Sequence, residues 1–112
     1  MSDAERPKRD ELPIACNPTA LDAEQRERKR LLQQQLRADV REIRELPDGY
    51  AFRHSSESSM CLVVAEFIAL ERLCCPFLDF GFDVERDGGP LWFRMTGGKD
   101  AKRVLQANLG LA

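Results

Sequence analysis

In Glu71-Arg72-Leu73-Cys74-Cys75-Pro76-Phe77-Leu78-Asp79-Phe80-Gly81-Phe82-Asp83-Val84-Glu85 the apolar period changes from that of a helix to that of a strand. Upstream of it, Met60, Val63, Val64, Phe67, Leu70 and Cys74 fall on one face at 100° per residue, the mark of an amphipathic helix. Pro76 disfavours the helical region for Cys75, so the helix should end there. Leu78, Phe80, Phe82 and Val84 then alternate with Asp79, Gly81, Asp83 and Glu85, which predicts a strand with one buried and one wet face. Asp87-Gly88-Gly89-Pro90 turns the chain back. On the return strand Leu91, Phe93 and Met95 face the core, with Trp92, Arg94 and Thr96 opposite.

A second hairpin is expected earlier in the chain. Leu46-Pro47-Asp48-Gly49-Tyr50 carries turn residues, and strands should lie near Val40–Leu46 and Gly49–His54. Before it, Leu21 to about Arg37 is rich in strong helix formers. Asn17 can cap this helix with Pro18 at its first position, or Thr19 can cap it with Asp22 three residues on. Glu24 and Arg28 stand four apart, at ion-pair spacing. Polar residues 55–59 precede the second helix. Gly97-Gly98 ends the last strand, and a short helix follows from about Asp100 to Leu109. The order α-ββ-α-ββ-α predicts an α+β fold: a four-stranded antiparallel sheet from two hairpins, with helices packed on one face. Residues 1 to about 13 are polar and without period, and read as a disordered or loosely docked tail. The remainder, 14–112, reads as one domain.

Composition bounds the function classes. A net charge of −2 gives no global attraction to nucleic acid or anionic membrane. The basic run Arg26-Glu27-Arg28-Lys29-Arg30 is interleaved with acid and reads as a solvated helix face. No apolar run approaches the ~20 residues of a membrane span, and the charged start lacks a secretory h-region. The expected setting is cytoplasmic and reducing, where cysteines are more often free, metal-bound or catalytic than bridged.

The chemistry concentrates in thiols. Cys61, within Met60-Cys61-Leu62-Val63-Val64, reads as a core residue. Cys74 and Cys75 lie at a helix C-terminus, where the dipole opposes a free thiolate and favours a bound cation. Soft thiolates select ions of the mercury, copper(I) and zinc class. Cys16, just before the first helix, is the candidate third ligand. Glu71 shares the apolar face with Phe67 and Cys74. It reads either as a salt-bridge partner of Arg53 or Arg94, or as a ligand or orienting group for the thiols. His54, at a strand end, reads as a surface residue, and Trp92 as packing.

Glu71-Arg72-Leu73-Cys74-Cys75-Pro76-Phe77, Leu46-Pro47-Asp48-Gly49-Tyr50 and the early Cys16, with Asp87-Gly88-Gly89-Pro90-Leu91-Trp92 and Arg94-Met95-Thr96-Gly97, carry a resemblance over nearly the whole chain after the tail. The chain resembles a family of short, largely uncharacterised bacterial proteins sharing an E-R-x-C-C-P-F core and an early single cysteine. Such proteins are associated with heavy-metal, particularly mercury, resistance neighbourhoods. The resemblance implies that Cys16, Cys74 and Cys75 act as a set and that Cys61 stands outside it. Three functions remain open at this point: a soft-metal-binding protein, a thiol enzyme using Cys74 or Cys75 with Glu71 moving protons, and an interaction module with structural cysteines.

Overall fold

The computed structural model describes residues 16–109. The tail expected over residues 1 to 13 lies outside them. The elements are α1 (Ala23–Asp39), β1 (Glu42–Leu46), β2 (Gly49–His54), α2 (Ser58–Cys74), β3 (Asp79–Val84), β4 (Leu91–Thr96) and α3 (Lys99–Leu109). The four strands form one antiparallel sheet in the order β1-β2-β4-β3, so the α+β fold is the one expected from the sequence. The hairpins join through β2 and β4. Gly49 sits where they meet: a Cβ there would stand 2.0 Å from the Met95 carbonyl oxygen, so only glycine allows the approach.

Register explains which side chains enter the core. Tyr50, Phe52 and His54 of β2 lie beside Met95, Phe93 and Leu91 of β4. Phe80 and Phe82 of β3 flank Met95 and Phe93 from the other side. Phe67 of α2 meets Phe93 edge-on, with ring centroids 6.0 Å apart, and Leu32 and Leu36 of α1 close the layer. The opposite sheet face is polar: Arg44 lies over the Trp92 ring at 4.4 Å, and Arg94 pairs with Asp83. Phe82 was expected under α2. It is 37% exposed and Val84 54%, both on β3, which is an edge strand with a neighbour on one side alone.

Helix starts differ in detail from the sequence reading. Asn17 does not cap α1; its Oδ1 accepts from the Thr19 N–H within a 3-10 turn over Pro18–Ala20. Asp22 caps α1 instead, through a reciprocal box with Gln25. The serines before α2 are passed over, and Glu57 occupies its N-cap without a side-chain bond. Arg28 reaches across to Glu66 on α2 at 2.7 Å, not to Glu24, and ties the two helices together. No helix among the described residues is long and apolar enough to cross a membrane.

Candidate thiol and carboxylate site

Where α2 ends, the chain is held from two sides. Cys75 is its C-cap, donating its N–H to the Glu71 carbonyl at 2.8 Å, and Leu78 donates to the Cys75 carbonyl at 3.2 Å. The segment before α1 docks here as well, because Asn17 N–H donates to the Cys74 carbonyl at 2.6 Å. That bond carries Cys16 to Cys75, and the two form a disulfide. The juxtaposition of Cys16 with the cysteine pair is therefore present. Its bonded state departs from the free thiols expected of a reducing setting.

Cys74 remains a buried free thiol beside the bridge, its sulfur 3.9 Å from that of Cys75. Glu71, one turn back, reaches both: its Oε1 accepts from the Cys74 S–H at 3.3 Å and lies 3.0 Å from Cys75 Sγ. A carboxylate that is 8% exposed needs a counter-charge. The sequence suggested Arg53 or Arg94. Those arginines instead pair with Glu42 and Asp83, and the partner of Glu71 is Lys29, with its Nζ 3.2 Å away. Lys29 Nζ also donates to Cys74 Sγ at 3.3 Å.

Lys29 is the site residue that the sequence reading missed. It sits inside the basic run taken as solvated, yet it stands three and seven residues before Leu32 and Leu36, on the buried face of α1. That i, i+3, i+7 spacing was the available signal. The electrostatics follow from the packing. Burial pushes the Cys74 thiol above its ordinary range, and the Glu71 charge pushes it further. For Lys29, burial alone would lower the pKa, but the Glu71 charge and the Cys74 contact leave it raised. The ammonium is thus held charged and Cys74 protonated near neutrality.

Cys16, Glu71 and Cys75 bring their donor atoms within 4.8 Å of one another, a grouping that could hold a metal ion once the bridge is open. Cys74 stands to one side of that group, touching Glu71 and Cys75. The four residues singled out from the sequence therefore meet in one place, with different standing. A cleft of about 300 Å³ opens against Cys16, Glu71 and Cys75, walled by Phe67, Phe77, Met95 and Leu105. Cys61 is half-buried against the main core, away from the site. His54 is corrected from surface to interior, since its place in the β2 register puts it on the core face at 3% exposure. No known protein family matches the chain, and neither a curated protein nor a solved structure matches it.

Proposed function

We propose that the protein binds a soft metal ion through Cys16, Cys75 and Glu71, with Cys74 as an adjacent thiol, and serves in metal handling or sensing. The observation that carries this is the convergence of two sulfurs and a carboxylate oxygen within 4.8 Å, beside a half-buried lysine. Charge favours a divalent ion of the zinc or mercury class over copper(I). Two thiolates and one carboxylate bring three negative charges; Lys29 supplies one positive and a divalent ion two, so the buried assembly is neutral. The bridged form has no thiolate to offer at Cys16 or Cys75, so binding follows reduction. A cytoplasmic, reducing compartment is the setting this reading requires.

Native mass spectrometry on reduced and bridged protein, with zinc, mercury(II) or copper(I) supplied, is the test. The expected result is one divalent ion on the reduced form and none on the bridged form. Cys16→Ser and Cys75→Ser should lose the ion and Cys61→Ser should keep it. Equal loading of bridged and reduced protein would overturn the reading.

The disulfide itself favours a second reading, a dithiol oxidoreductase. Reduced Cys16 and Cys75 would give two electrons and two protons to a substrate disulfide, yielding two substrate thiols and the Cys16–Cys75 bridge. Glu71 Oε1, 3.0 Å from Cys75 Sγ, is placed to take a proton from that thiol. Turnover of a small disulfide with dithiothreitol as reductant, lost in Cys75→Ser, separates this reading from stoichiometric metal binding.

A further inference from the structure

A second cavity, of about 510 Å³, opens between α1, the core face of β2 and β4, and the end of α3. That volume falls within the range of small-molecule sites, which combine apolar walls with a few placed polar groups. Leu36, Val40, Phe52, Phe67 and Phe93 give the apolar wall, and His54 lines it as well. Nothing in the thiol chemistry uses this histidine.

The ring of His54 is fixed on one side. Its Nδ1 lies 3.1 Å from Asp39 Oδ2, and the same oxygen accepts the Ser55 backbone N–H at 2.9 Å. Arg41 binds the other oxygen, Oδ1, at 3.1 Å. Burial alone would raise the Asp39 pKa, but the Ser55, Arg41 and His54 contacts hold it below the usual range, so near neutrality it can only accept. Burial also pushes the His54 pKa down and keeps the imidazole neutral. Nδ1 therefore carries the proton and donates it to Asp39, which leaves Nε2 with its lone pair. No partner for Nε2 is found among the described residues, and no fully buried side-chain nitrogen or oxygen is left unpaired there. Nε2 is thus an unpaired acceptor that is not fully buried, on a ring that lines the cavity.

We propose that this cavity is a binding site for a small neutral alcohol or phenol, its apolar body against Phe52, Phe67 and Phe93 and its hydroxyl donating to His54 Nε2. The acceptor selects the class. Arg37 also lines the cavity, but from the exposed surface and with its guanidinium donating to the Asn108 carbonyl at 3.4 Å. At Nε2 itself a carboxylate would set its lone pairs against that of the nitrogen, and an ammonium would lose its hydration against an apolar wall. Gln33, Phe67, Met95, Asn108 and Leu109 line this cavity and the thiol cleft alike, so an occupant would abut the wall of the metal site without touching its sulfurs. The site does not depend on reduction of the bridge or on a bound metal.

1-Naphthol and naphthalene, titrated separately into the full-length ¹⁵N-labelled protein, test the assignment by NMR. The expected result is saturable binding of 1-naphthol with shifts at Phe52, His54 and Phe93, the same with the bridge closed or reduced. Naphthalene, which lacks the donor, should bind about tenfold more weakly, roughly 1.4 kcal/mol. His54→Phe should erase that tenfold preference by weakening 1-naphthol alone, while Val40→Trp, filling the cavity from its half-buried rim, should abolish both. If His54→Phe does not fold, the 1-naphthol to naphthalene ratio in the parent protein and the loss in Val40→Trp decide. Absence of saturable shifts, shifts mapping elsewhere, or equal affinities for the two compounds would overturn the site.

Discussion

Two inward-facing carboxylates, Asp39 at the end of α1 and Glu71 near the end of α2, are served in opposite ways. Asp39 is surrounded by directional donors: a backbone N–H, a guanidinium and an imidazole N–H. Two of them come from the adjacent His54 and Ser55, so the carboxylate works as a clasp between α1 and the end of β2. Glu71 has one directional charge partner, Lys29, and otherwise meets sulfur. Thiols are weak donors that can lose their protons, and sulfur is a soft ligand. A clasp is expensive to disturb and does little else, whereas a carboxylate set among thiols can exchange partners at low cost. The same functional group is structural at one end of the helical layer and chemically available at the other.

The largest effect should come from the covalent link that the thiol end has and the Asp39 end lacks. The bridge joins residues 59 apart. Closing a loop of that size restricts the unfolded chain by roughly 4 kcal/mol in the entropic account. Reduction, or Cys16→Ser, should lower the stability measured by urea unfolding by about that much, with the native amide spectrum retained outside the thiol cleft. If reduction leaves the midpoint unmoved, the thiol end is not held by its bridge and the contrast fails there.

Next in size is a matched pair of substitutions. Asp39→Asn should cost roughly 2 kcal/mol, because one carboxylate oxygen becomes an NH2 group set against the Ser55 and His54 N–H donors or against the Arg41 guanidinium. Glu71→Gln keeps an oxygen near Lys29 and should cost about 1 kcal/mol in urea unfolding. The same change should weaken zinc binding by the reduced protein at least 10-fold, as loss of a ligand or orienting group does. Equal costs for the two substitutions would erase the distinction between clasp and chemical group.

Legibility in the sequence followed the same divide. The strand period of residues 78–84, the Pro47–Gly49 turn and the stop at Pro76 specify order, pairing and the helical face, because each acts through local backbone geometry. The site's outline was legible for a related reason: Glu71, Cys74 and Cys75 share a helix end, and local spacing puts them together. What escaped was the choice of long-range partners. Lys29 pairs with Glu71 across α1 and α2, and Asp39 with His54 across a turn and a strand. Arg53, Arg94 and Lys29 all offered a cation, and only the packing of α1 on α2 selects among them. The nearness of Cys16 to the cysteine pair was expected from its reading as third ligand, but its bond to Cys75 belongs to the same class. It depends on the segment before α1 docking on the end of α2 through Asn17, which no periodicity encodes.

The smallest effect is the most diagnostic, because it separates the two ends by pH. His54 is depressed below its ordinary 6.5 in the fold, chiefly by burial. As pH falls below about 6.5 the unfolded chain takes up this proton first, so stability declines down to the folded pKa. Asp39, held below its ordinary 3.8, adds a further decline below that value. Glu27, Glu42 and Glu66, each lowered from 4.5 by an arginine, add to the loss only below about that value, so the acid limb above it belongs to the clasp. The thiol end acts on the other side. Cys74 is raised above its ordinary 9.0 by burial and the Glu71 charge, so its contribution is complete below about 9 and fades as pH climbs through the folded pKa. Lys29, raised above 10.5 against its burial by Glu71 and Cys74, extends that alkaline decline. Urea midpoints between pH 5 and 10 should therefore form a plateau with two separable shoulders. His54→Phe should flatten the shoulder between pH 6.5 and 5 and leave the alkaline one in place. Cys74→Ser, whatever it costs in overall stability, should flatten the slope near pH 9 and leave the acid shoulder intact. If Cys74→Ser moves the acid shoulder instead, the two carboxylates share one electrostatic network, and the division between a clasp and a chemical site is wrong.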